Sequence, residues 1–596
     1  MAARWLLLIC LCVVPGLGWS LSTPILPSSE IERGMKGYGL TVFQGTKIDT
    51  FQVEIVGVMR NALDAKTDII WAMMSGGPLE KTGIIAGMSG SPVYIGGKLI
   101  GAVAYGYAFC KEPLAGITPI EKMLEVFEKG LERKKDVYGG EPGGGVPWYS
   151  SLSGEGPRAS EIPELDPFEG TGLEPLGTPL VFSGFHPGVV REARKMLARF
   201  GLTVVQGGGG GGAEVEASML QPGAALAVPL IQGDYSVGGI GTLTYRDGDR
   251  VLGFGHPMFF DGDTEFPMGG AVISEVVPSV IRSFKLGSVA QPVGVIRQDR
   301  NAAVAGVVGE LPEMVPVIAR IGPSLERQST YRFEVVRHRE YTGWLVSWAL
   351  MSAILVEESP RGERTIRVRS TIEAEGHPPV ERENVFSSSS AVFESYLSIL
   401  WPLEAMLSNE FERVNIKQLT FDLVTEEGIR SAVVEGLRVD NTTLRPGETV
   451  TGTAYLQRTY GGRFEQRFSI PVPKDTPDGS LVLWACDAAS SRHWDEARAP
   501  GKYQARTMED MIRILSYEER NDHLIVELFL PGAGLTVEGK ELPALPGSVM
   551  AVLQGSRQTG QTDLVRGSTV ARSEIKTDCV LSGAQSMALK ISRSGR

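Results

Sequence analysis

The sequence predicts a mainly β protein: strand-rich segments in the N-terminal half, an α+β region in the middle and a β-sandwich-like C-terminal region. Three observations favour this fold class. The 596 residues include 73 glycines and 36 prolines, which are typical of turn-rich β structure. Short apolar runs alternate with tight-turn signals over most of the chain. Beyond Tyr331 the pattern changes, because strand-like runs then alternate with two helical segments of apolar character.

Composition indicates an ordinary soluble protein. Charged residues make up 21% and the formal net charge is -12, so the chain lacks the basic surface that nucleic-acid binding requires. Cys110, Cys486 and Cys579 are widely spaced, which predicts neither a disulfide framework nor a metal motif. We expect no cofactor and no metal.

The first twenty residues have the pattern of a secretory signal peptide. Arg4 precedes the apolar run Trp5–Val14, Pro15-Gly16 breaks this run, and small residues precede a cleavage point near Ser20. Ten apolar residues are few for a membrane span, although a retained anchor is the alternative. We therefore expect a secreted or periplasmic protein of a bacterial cell envelope, with no membrane span after removal of residues 1–20.

Residues 31–137 contain the most informative motif, Gly87-Met88-Ser89-Gly90-Ser91-Pro92. The strands Val93–Ile95 and Leu99–Ala104 follow it, joined by a Gly96-Gly97 hairpin, and a helix is predicted at Ile120–Lys134. A serine in a glycine-rich turn that leads into a buried hairpin looks like the GDSGGP segment of trypsin-like peptidases. That likeness implies a β-barrel with Ser89 as the nucleophile, and an oxyanion hole made by the amides of Gly87 and Ser89.

The flanking segments Gly37–Phe43, Thr46–Gly57 and Gly116–Leu124 extend the likeness. With them, the chain resembles the SpoIVB-type serine peptidases, the family of the stage IV sporulation peptidase, over residues 31–126 and 215–320. The resemblance implies a trypsin-like double β-barrel and a protein or peptide substrate. The chain departs from the family in lacking a recognisable PDZ module, which puts a regulated, peptide-triggered mode of action in doubt.

Residues 138–213 are predicted to be a linker with a small βαβ insert. Glycine, proline and acidic residues dominate its first part. The strand Thr178–Phe185, the helix Pro187–Phe200 and the strand Leu202–Gln206 then precede six consecutive glycines, Gly207–Gly212.

Residues 214–325 are predicted to form the barrel that carries the general base. Within Gly238–Pro257, GGIGTLTYRDGDRVLGFGHP, a hairpin leads through a buried strand to His256, and this segment resembles the catalytic-histidine region of the same family. The order is unusual, because serine precedes histidine. A circular permutation explains this without damage to the site, since the site lies between two barrels.

The third member of the triad is predicted to be Asp299. The number of residues between His256 and Asp299 is broadly similar to that between the histidine and the aspartate in trypsin-like barrels. The alternative is that Asp299 forms a surface ion pair with Arg297 or Arg300. The next candidates are Asp261, Asp263 and Asp68.

The C-terminal half shows no chemistry of its own. We predict an α+β region at 331–425 with helices Tyr341–Leu355 and Ala391–Leu407, a β-sandwich-like module at 426–490, and an α+β region at 491–596. The last region has a helix at Met508–Ser516 and a strand at His523–Leu530.

These patterns predict a secreted serine endopeptidase of the SpoIVB type, acting through an acyl-enzyme on Ser89 with His256 as general base. Its substrate is a protein or peptide, which would include copies of the chain itself. The alternative is a catalytically inactive envelope binding or scaffold protein on the same double barrel. A metal enzyme that uses Asp261–Glu265 is disfavoured, because those acids lack the remainder of a calcium loop.

Overall fold

The computed structural model describes residues 23–107, 110–133, 173–208, 214–357, 362–537, 540–542, 545–555 and 562–594. The predicted signal peptide and most of the predicted linker lie outside these residues. Within them the protein is mainly β, as predicted, with two barrels, an α+β region and a C-terminal sandwich.

The first barrel carries the predicted nucleophile. Its ring of six strands closes in the order β5-β1-β2-β3-β7-β6, because β5 also pairs with β6. The elements of this part are β1 (Lys36–Val42), β2 (Ile48–Asp64), β3 (Thr67–Ser75), α1 (Leu79–Thr82), β4 (Ile85–Ala86), β5 (Pro92–Ile95), β6 (Lys98–Tyr107), β7 (Leu114–Pro119), α2 (Ile120–Leu124) and β8 (Leu173–Pro175).

Local signals in this barrel gave one correct and one wrong boundary. Gly96 and Gly97, both with positive φ, join β5 to β6 in the predicted hairpin. The helix predicted at 120–134 begins at Ile120 as expected, but its predicted end is wrong: α2 ends at Leu124, and a short 3-10 turn, Phe127–Lys129, follows it. Gly130 ends that turn with a φ of 85°, a positive value that favours glycine.

The second barrel carries the predicted base. It closes in the order β12-β13-β16-β15-β14-β11, because β11 pairs with both β12 and β14. The predicted βαβ insert is present: β10 lies parallel to β9, and β9 pairs with β12. The elements are β9 (Pro179–Ser183), α3 (Pro187–Leu197), β10 (Thr203–Gln206), β11 (Ala225–Gly233), β12 (Ser236–Asp247), β13 (Arg250–Gly253), β14 (Gly262–Val277), β15 (Ser283–Arg300) and β16 (Ala303–Val308).

The two barrels share apolar cores. Val42 of the first barrel packs in one cluster with Ile240 and Ile273 of the second. Another cluster combines Tyr94 of the first with Leu252 of the second. Strand β4 also pairs in parallel with β15. Burial of apolar surface between the barrels therefore stabilises their association.

The α+β region continues the sheet of the second barrel, because β18 pairs with β11. The predicted boundary at 325–331 covers the turn between β17 and β18 and the first half of β18, so it divides a hairpin. Helices α4 and α5 pack together over this sheet, near the predicted positions. None of the helices within the described ranges is both long and apolar enough to span a bilayer. The elements are β17 (Met314–Ser324), β18 (Arg327–Val336), α4 (Tyr341–Glu357), β19 (Arg364–Ala374), β20 (Val380–Ser388), α5 (Ala391–Leu407) and β21 (Ile416–Glu427).

The C-terminal part is a sandwich of two sheets around a common apolar core. One sheet has the order β25-β24-β22-β30, and the other β23-β31-β26-β27-β28 with β29 also on β27. The sandwich thus draws strands from both predicted regions, 426–490 and 491–596. The elements are β22 (Ser431–Val439), β23 (Thr443–Leu444), β24 (Thr449–Arg458), β25 (Arg463–Pro471), β26 (Gly479–Cys486), α6 (Ala488–Arg498), α7 (Met508–Ser516), β27 (His523–Val537), β28 (Lys540–Leu542), α8 (Gly547–Gly555), β29 (Thr562–Lys576), β30 (Val580–Ser582) and β31 (Ala584–Ile591).

Candidate active site

The predicted nucleophile lies in a tight turn between β4 and β5. Gly87 and Gly90 adopt φ of 94° and 92°, which glycine tolerates far better than other residues. The amides of Met88, Gly90 and Ser91 donate to backbone carbonyls within the first barrel. The oxyanion hole predicted from the resemblance uses the other two amides of the turn, those of Gly87 and Ser89.

Strand β12 of the second barrel forms hydrogen bonds with this turn. The Thr242 amide donates to the Ser89 carbonyl at 2.8 Å, and the Thr242 hydroxyl donates to the Gly87 carbonyl at 3.0 Å. The Thr244 hydroxyl donates to the Gly90 carbonyl at 2.7 Å. A Cβ on Gly90 would lie 1.9 Å from the Thr242 carbonyl oxygen, so only glycine permits this approach. Both threonines of the Gly-Thr-x-Thr segment therefore fix the serine turn.

His256 follows β13 and faces the same junction. Phe254 and Gly255 take positive φ, and the Gly255 carbonyl accepts a hydrogen bond of 2.6 Å from Thr118 of the first barrel. The Nδ1 atom of His256 lies 2.7 Å from the Pro257 carbonyl oxygen. Because a carbonyl only accepts, Nδ1 carries the hydrogen and Nε2 keeps its lone pair. This tautomer is the one that a general base needs.

Burial keeps this imidazole neutral. Burial and, to a smaller extent, the charge of Arg282 lower the pKa of His256 to about 4, although the hydrogen bond to the Pro257 carbonyl opposes the shift. Ser89 is 0% exposed and His256 is 2% exposed. Within the described chain, neither Ser89 Oγ nor His256 Nε2 has a hydrogen-bond partner, so the two are not bonded to each other. The junction thus contains two buried polar atoms without partners, on the two residues predicted to react.

Asp299 is buried, but it does not bond His256 as a triad aspartate would. Its Oδ1 accepts from the Met258 amide at 2.8 Å, and its Oδ2 accepts from the Phe259 and Phe260 amides at 2.7 and 2.9 Å. The structure therefore differs from the predicted role of Asp299. His256 Nδ1 is hydrogen-bonded to the Pro257 carbonyl, and the Asp299 carboxylate is hydrogen-bonded to backbone amides. The alternative of a surface ion pair is wrong, because Asp299 is 0% exposed.

The environment of Asp299 disfavours its charge. Burial and, to a smaller extent, the charge of Asp261 raise its pKa to about 6. The three amide bonds favour the carboxylate and partly offset this effect. Asp299 thus fixes the loop that follows His256 at the cost of a buried acid.

The remaining candidate acids have other partners. Asp261 accepts from the Tyr341 hydroxyl at 2.8 Å and lies 3.5 Å from His338 Nε2. This contact ties α4 to the loop after His256. The other pairs are Asp263 with Gln298 and Arg300, Glu265 with Arg297, and Asp68 with Arg60. Across the described residues, no group of three or more potential metal ligands comes together.

A cavity of about 630 Å³ opens beside the histidine. Tyr105, whose ring centroid is 6.4 Å from that of His256, lines it together with Thr118. Phe260 also lines this cavity, is 60% exposed and has a φ of 70°, whereas neither Ser89 nor His256 is among the lining residues. An exposed aromatic ring on a strained backbone in such a cavity is suited to contact a bound polypeptide.

Sequence reasoning missed the buried lysine of this site. Lys285 on β15 is 0% exposed, and its Nζ donates to Thr41 Oγ1 at 2.8 Å. Burial lowers its pKa to about 7. The apolar neighbours Phe284 and Leu286 predict that Lys285 faces solvent, because side chains alternate along a strand. In the structure Lys285 is instead buried and its two neighbours are less buried, and this orientation becomes apparent only when the barrel is assembled.

The comparisons agree with the serine-bearing half of this site. Residues 20–124 match the model of the family described as SpoIVB peptidase S55. Neither the curated proteins nor the solved structures contain a match to the chain. The matched residues contain the whole of the serine turn and its hairpin.

Proposed function

We propose that this chain, a SpoIVB-family peptidase by its residues 20–124, is a secreted serine endopeptidase with Ser89 as nucleophile and His256 as general base. One observation carries the proposal. Ser89 Oγ and His256 Nε2 are both buried without partners at the barrel junction, and His256 has the tautomer that accepts a proton. A buried polar atom without a partner is costly, and at a candidate site it indicates a reactive role.

The chemistry follows that of serine peptidases. Ser89 Oγ attacks the scissile carbonyl carbon while its proton passes to His256 Nε2, and the amides of Gly87 and Ser89 bind the developing oxyanion. His256 then returns the proton to the leaving amine, which leaves an acyl-enzyme. Water attacks the acyl-enzyme with His256 again as base, and this releases the acid and restores Ser89.

Asp299 has a positioning role in this proposal. Pro257 orients the imidazole through Nδ1, and Asp299 holds the three amides that follow Pro257. The carboxylate therefore acts on His256 through the backbone of its loop. The serine-first order is consistent with a circular permutation, since contacts across the barrels assemble the site.

The substrate would be a protein or peptide bound at the cavity beside Tyr105 and Phe260. Because Ser89 is fully buried, part of the covering structure must move before a scissile bond reaches it. The same burial, with no bond between Ser89 and His256, favours the second candidate function: an inactive binding or scaffold protein of the cell envelope.

A fluorophosphonate probe separates the two functions. Full-length protein should be labelled at a single serine, and labelling should disappear in Ser89→Ala and in His256→Asn, which keeps a donor for the Pro257 carbonyl. Thr264→Val is a matched control, because this buried residue of the second barrel lies on β14 rather than in the serine turn. A folded wild-type chain that resists labelling, with and without added envelope protein, would establish the inactive scaffold instead.

A further inference from the structure

The buried amine of Lys285 lies at the point where the two barrels meet. Its Nζ donates to Thr41 Oγ1 on β1 at 2.8 Å and to Thr242 Oγ1 on β12 at 3.4 Å. Thr242 connects Lys285 to the serine turn, because the Thr242 hydroxyl donates to the Gly87 carbonyl. A Cβ on Gly87 would lie 3.2 Å from the Lys285 side chain, so the aliphatic part also packs against the turn.

A lysine in this position is costly to the fold. In the described part of the chain its nitrogen forms no ion pair with a carboxylate, and both of its hydrogen-bond acceptors are neutral hydroxyls. Burial of a charge without an opposite charge is unfavourable, and a methionine of similar length would avoid that cost. Buried ionisable groups of this kind concentrate at functional sites.

We propose that Lys285 is a positioning residue of the peptidase site: through Thr242 it fixes the carbonyl of Gly87 and thereby the conformation of the turn that presents Ser89. The inference rests on the proposed function for its catalytic consequence. Its structural part, that Lys285 orders the turn through Thr242, holds whether or not the chain is active.

The arrangement has a defined direction. The Thr242 oxygen accepts from the Lys285 amine, which directs the single Thr242 hydrogen to the Gly87 carbonyl. Without the amine this hydroxyl is free to rotate away, and the carbonyl loses a buried partner. Since the amide of the same Gly87 is the proposed oxyanion donor, rotation at this residue would misdirect it.

Two readouts on the full-length chain test the proposal. Hydrogen exchange, followed by mass spectrometry, reports the order of the turn in peptides that cover residues 84–95. The rate of fluorophosphonate labelling reports the reactivity of Ser89. In Lys285→Met we expect hydrogen exchange of the turn to become about 10-fold faster and labelling to become about 10-fold slower. Each change corresponds to the loss of one buried hydrogen bond. Exchange in the C-terminal sandwich should stay as in wild type.

A double-mutant cycle distinguishes positioning from a general effect on the fold. Thr242→Val removes the intermediate hydroxyl, so Lys285→Met should add almost nothing in that background. Thr264→Val in the same barrel should leave both readouts unchanged. If Lys285→Met does not fold, Thr41→Val decides the matter, since it keeps the lysine and removes one of its acceptors; a smaller change in the same direction is expected.

The outcomes separate the two claims. Wild-type exchange of the turn in Lys285→Met and Thr41→Val would overturn the inference, and so would equal effects of Lys285→Met with and without Thr242. A wild-type chain that is not labelled would overturn the proposed function alone. The exchange cycle would still decide whether Lys285 orders the turn.

Discussion

His256 and Asp299 make opposite contributions to the pH dependence of stability, and removing one should expose the other. The pKa of Asp299 is raised from 3.8 to about 6, and that of His256 is lowered from 6.5 to about 4. Each difference corresponds to about 3 kcal/mol at 1.36 kcal/mol per pH unit. Both differences fall in nearly the same window, between pH 4 and 6.5.

The signs follow from which state holds the proton. Between pH 3.8 and 6 the folded chain holds a proton on Asp299 that the unfolded chain has lost, so this acid lowers stability as the pH rises. Between pH 4 and 6.5 the unfolded chain holds a proton on His256 that the folded chain excludes, so this residue raises stability as the pH rises. In the wild type the two slopes nearly cancel.

Relative to wild type, the free energy of unfolding of Asp299→Asn should therefore increase by about 2 kcal/mol as the pH rises from 4 to 6, because titration is incomplete at both ends of this range and the full difference of about 3 kcal/mol is reached only beyond it. Relative to wild type, the free energy of unfolding of His256→Asn should decrease by a similar amount as the pH rises from 4 to 6.5. The lost bond to a loop amide in Asp299→Asn adds a constant cost of about 1–3 kcal/mol that does not vary with pH. Apart from the charge interaction between Asp261 and Asp299, the other titrating groups are common to the three proteins, so the difference between variant and wild type reports mainly the substituted residue.

The free energy of unfolding is best followed at one reporter, because a chain with several domains does not unfold in one step. Trp348 is buried in the core that includes the second barrel, and its ¹⁹F resonance after 5-fluorotryptophan labelling can be followed in urea at each pH. Trp348→Phe assigns the signal. A difference between Asp299→Asn and wild type that is the same at pH 4 and pH 6 would refute the opposed-burial reasoning.

Three further substitutions test the junction. Ser91→Ala should keep at least about half of the probe labelling, because its hydroxyl makes only a 3.5 Å contact with Thr242, whereas loss of labelling would transfer the role of nucleophile from Ser89. Gly90→Ala should destabilise the barrels by about 3 kcal/mol or more, since its methyl group would lie 1.9 Å from a carbonyl oxygen at a φ of 92°; a wild-type urea midpoint would contradict this. Tyr341→Phe removes the bond between α4 and the loop after the histidine, so exchange of residues 257–262 should increase, and unchanged exchange would show that α4 does not brace this loop.

The sequence predicted the local features that one segment determines by itself. The Gly96-Gly97 hairpin and the helices α4, α5 and α7 lie where turn residues and apolar periodicity place them. The serine turn was identified because its glycines, its proline and its hairpin are contiguous in the chain. The match to residues 20–124 confirmed that resemblance.

Features that depend on pairing between residues far apart in the chain could not be predicted from the sequence. Nothing near Asp299 in the chain indicates that its carboxylate binds amides of residues 258–260, because β14 separates them and the strand register sets the contact. The burial of Lys285 likewise depends on which face of β15 closes onto the first barrel. The early end of α2 has no sequence signal, because no glycine or proline closely follows Leu124 and Gly130 ends only the later 3-10 turn.

Contacts across the barrels, rather than the order of the chain, assemble this site. Thr242 and Thr244 bind the serine turn, and Thr118 of the first barrel binds the backbone next to His256. Each barrel contributes one half of the proposed site: the first holds Ser89, the proposed nucleophile, and the second holds His256, the proposed base. Because these bonds are noncovalent and reciprocal, a chain that runs serine first can build the same junction as one that runs histidine first. The buried amine of Lys285 stands where these reciprocal bonds converge, which explains why a fold would keep a charge there despite its cost.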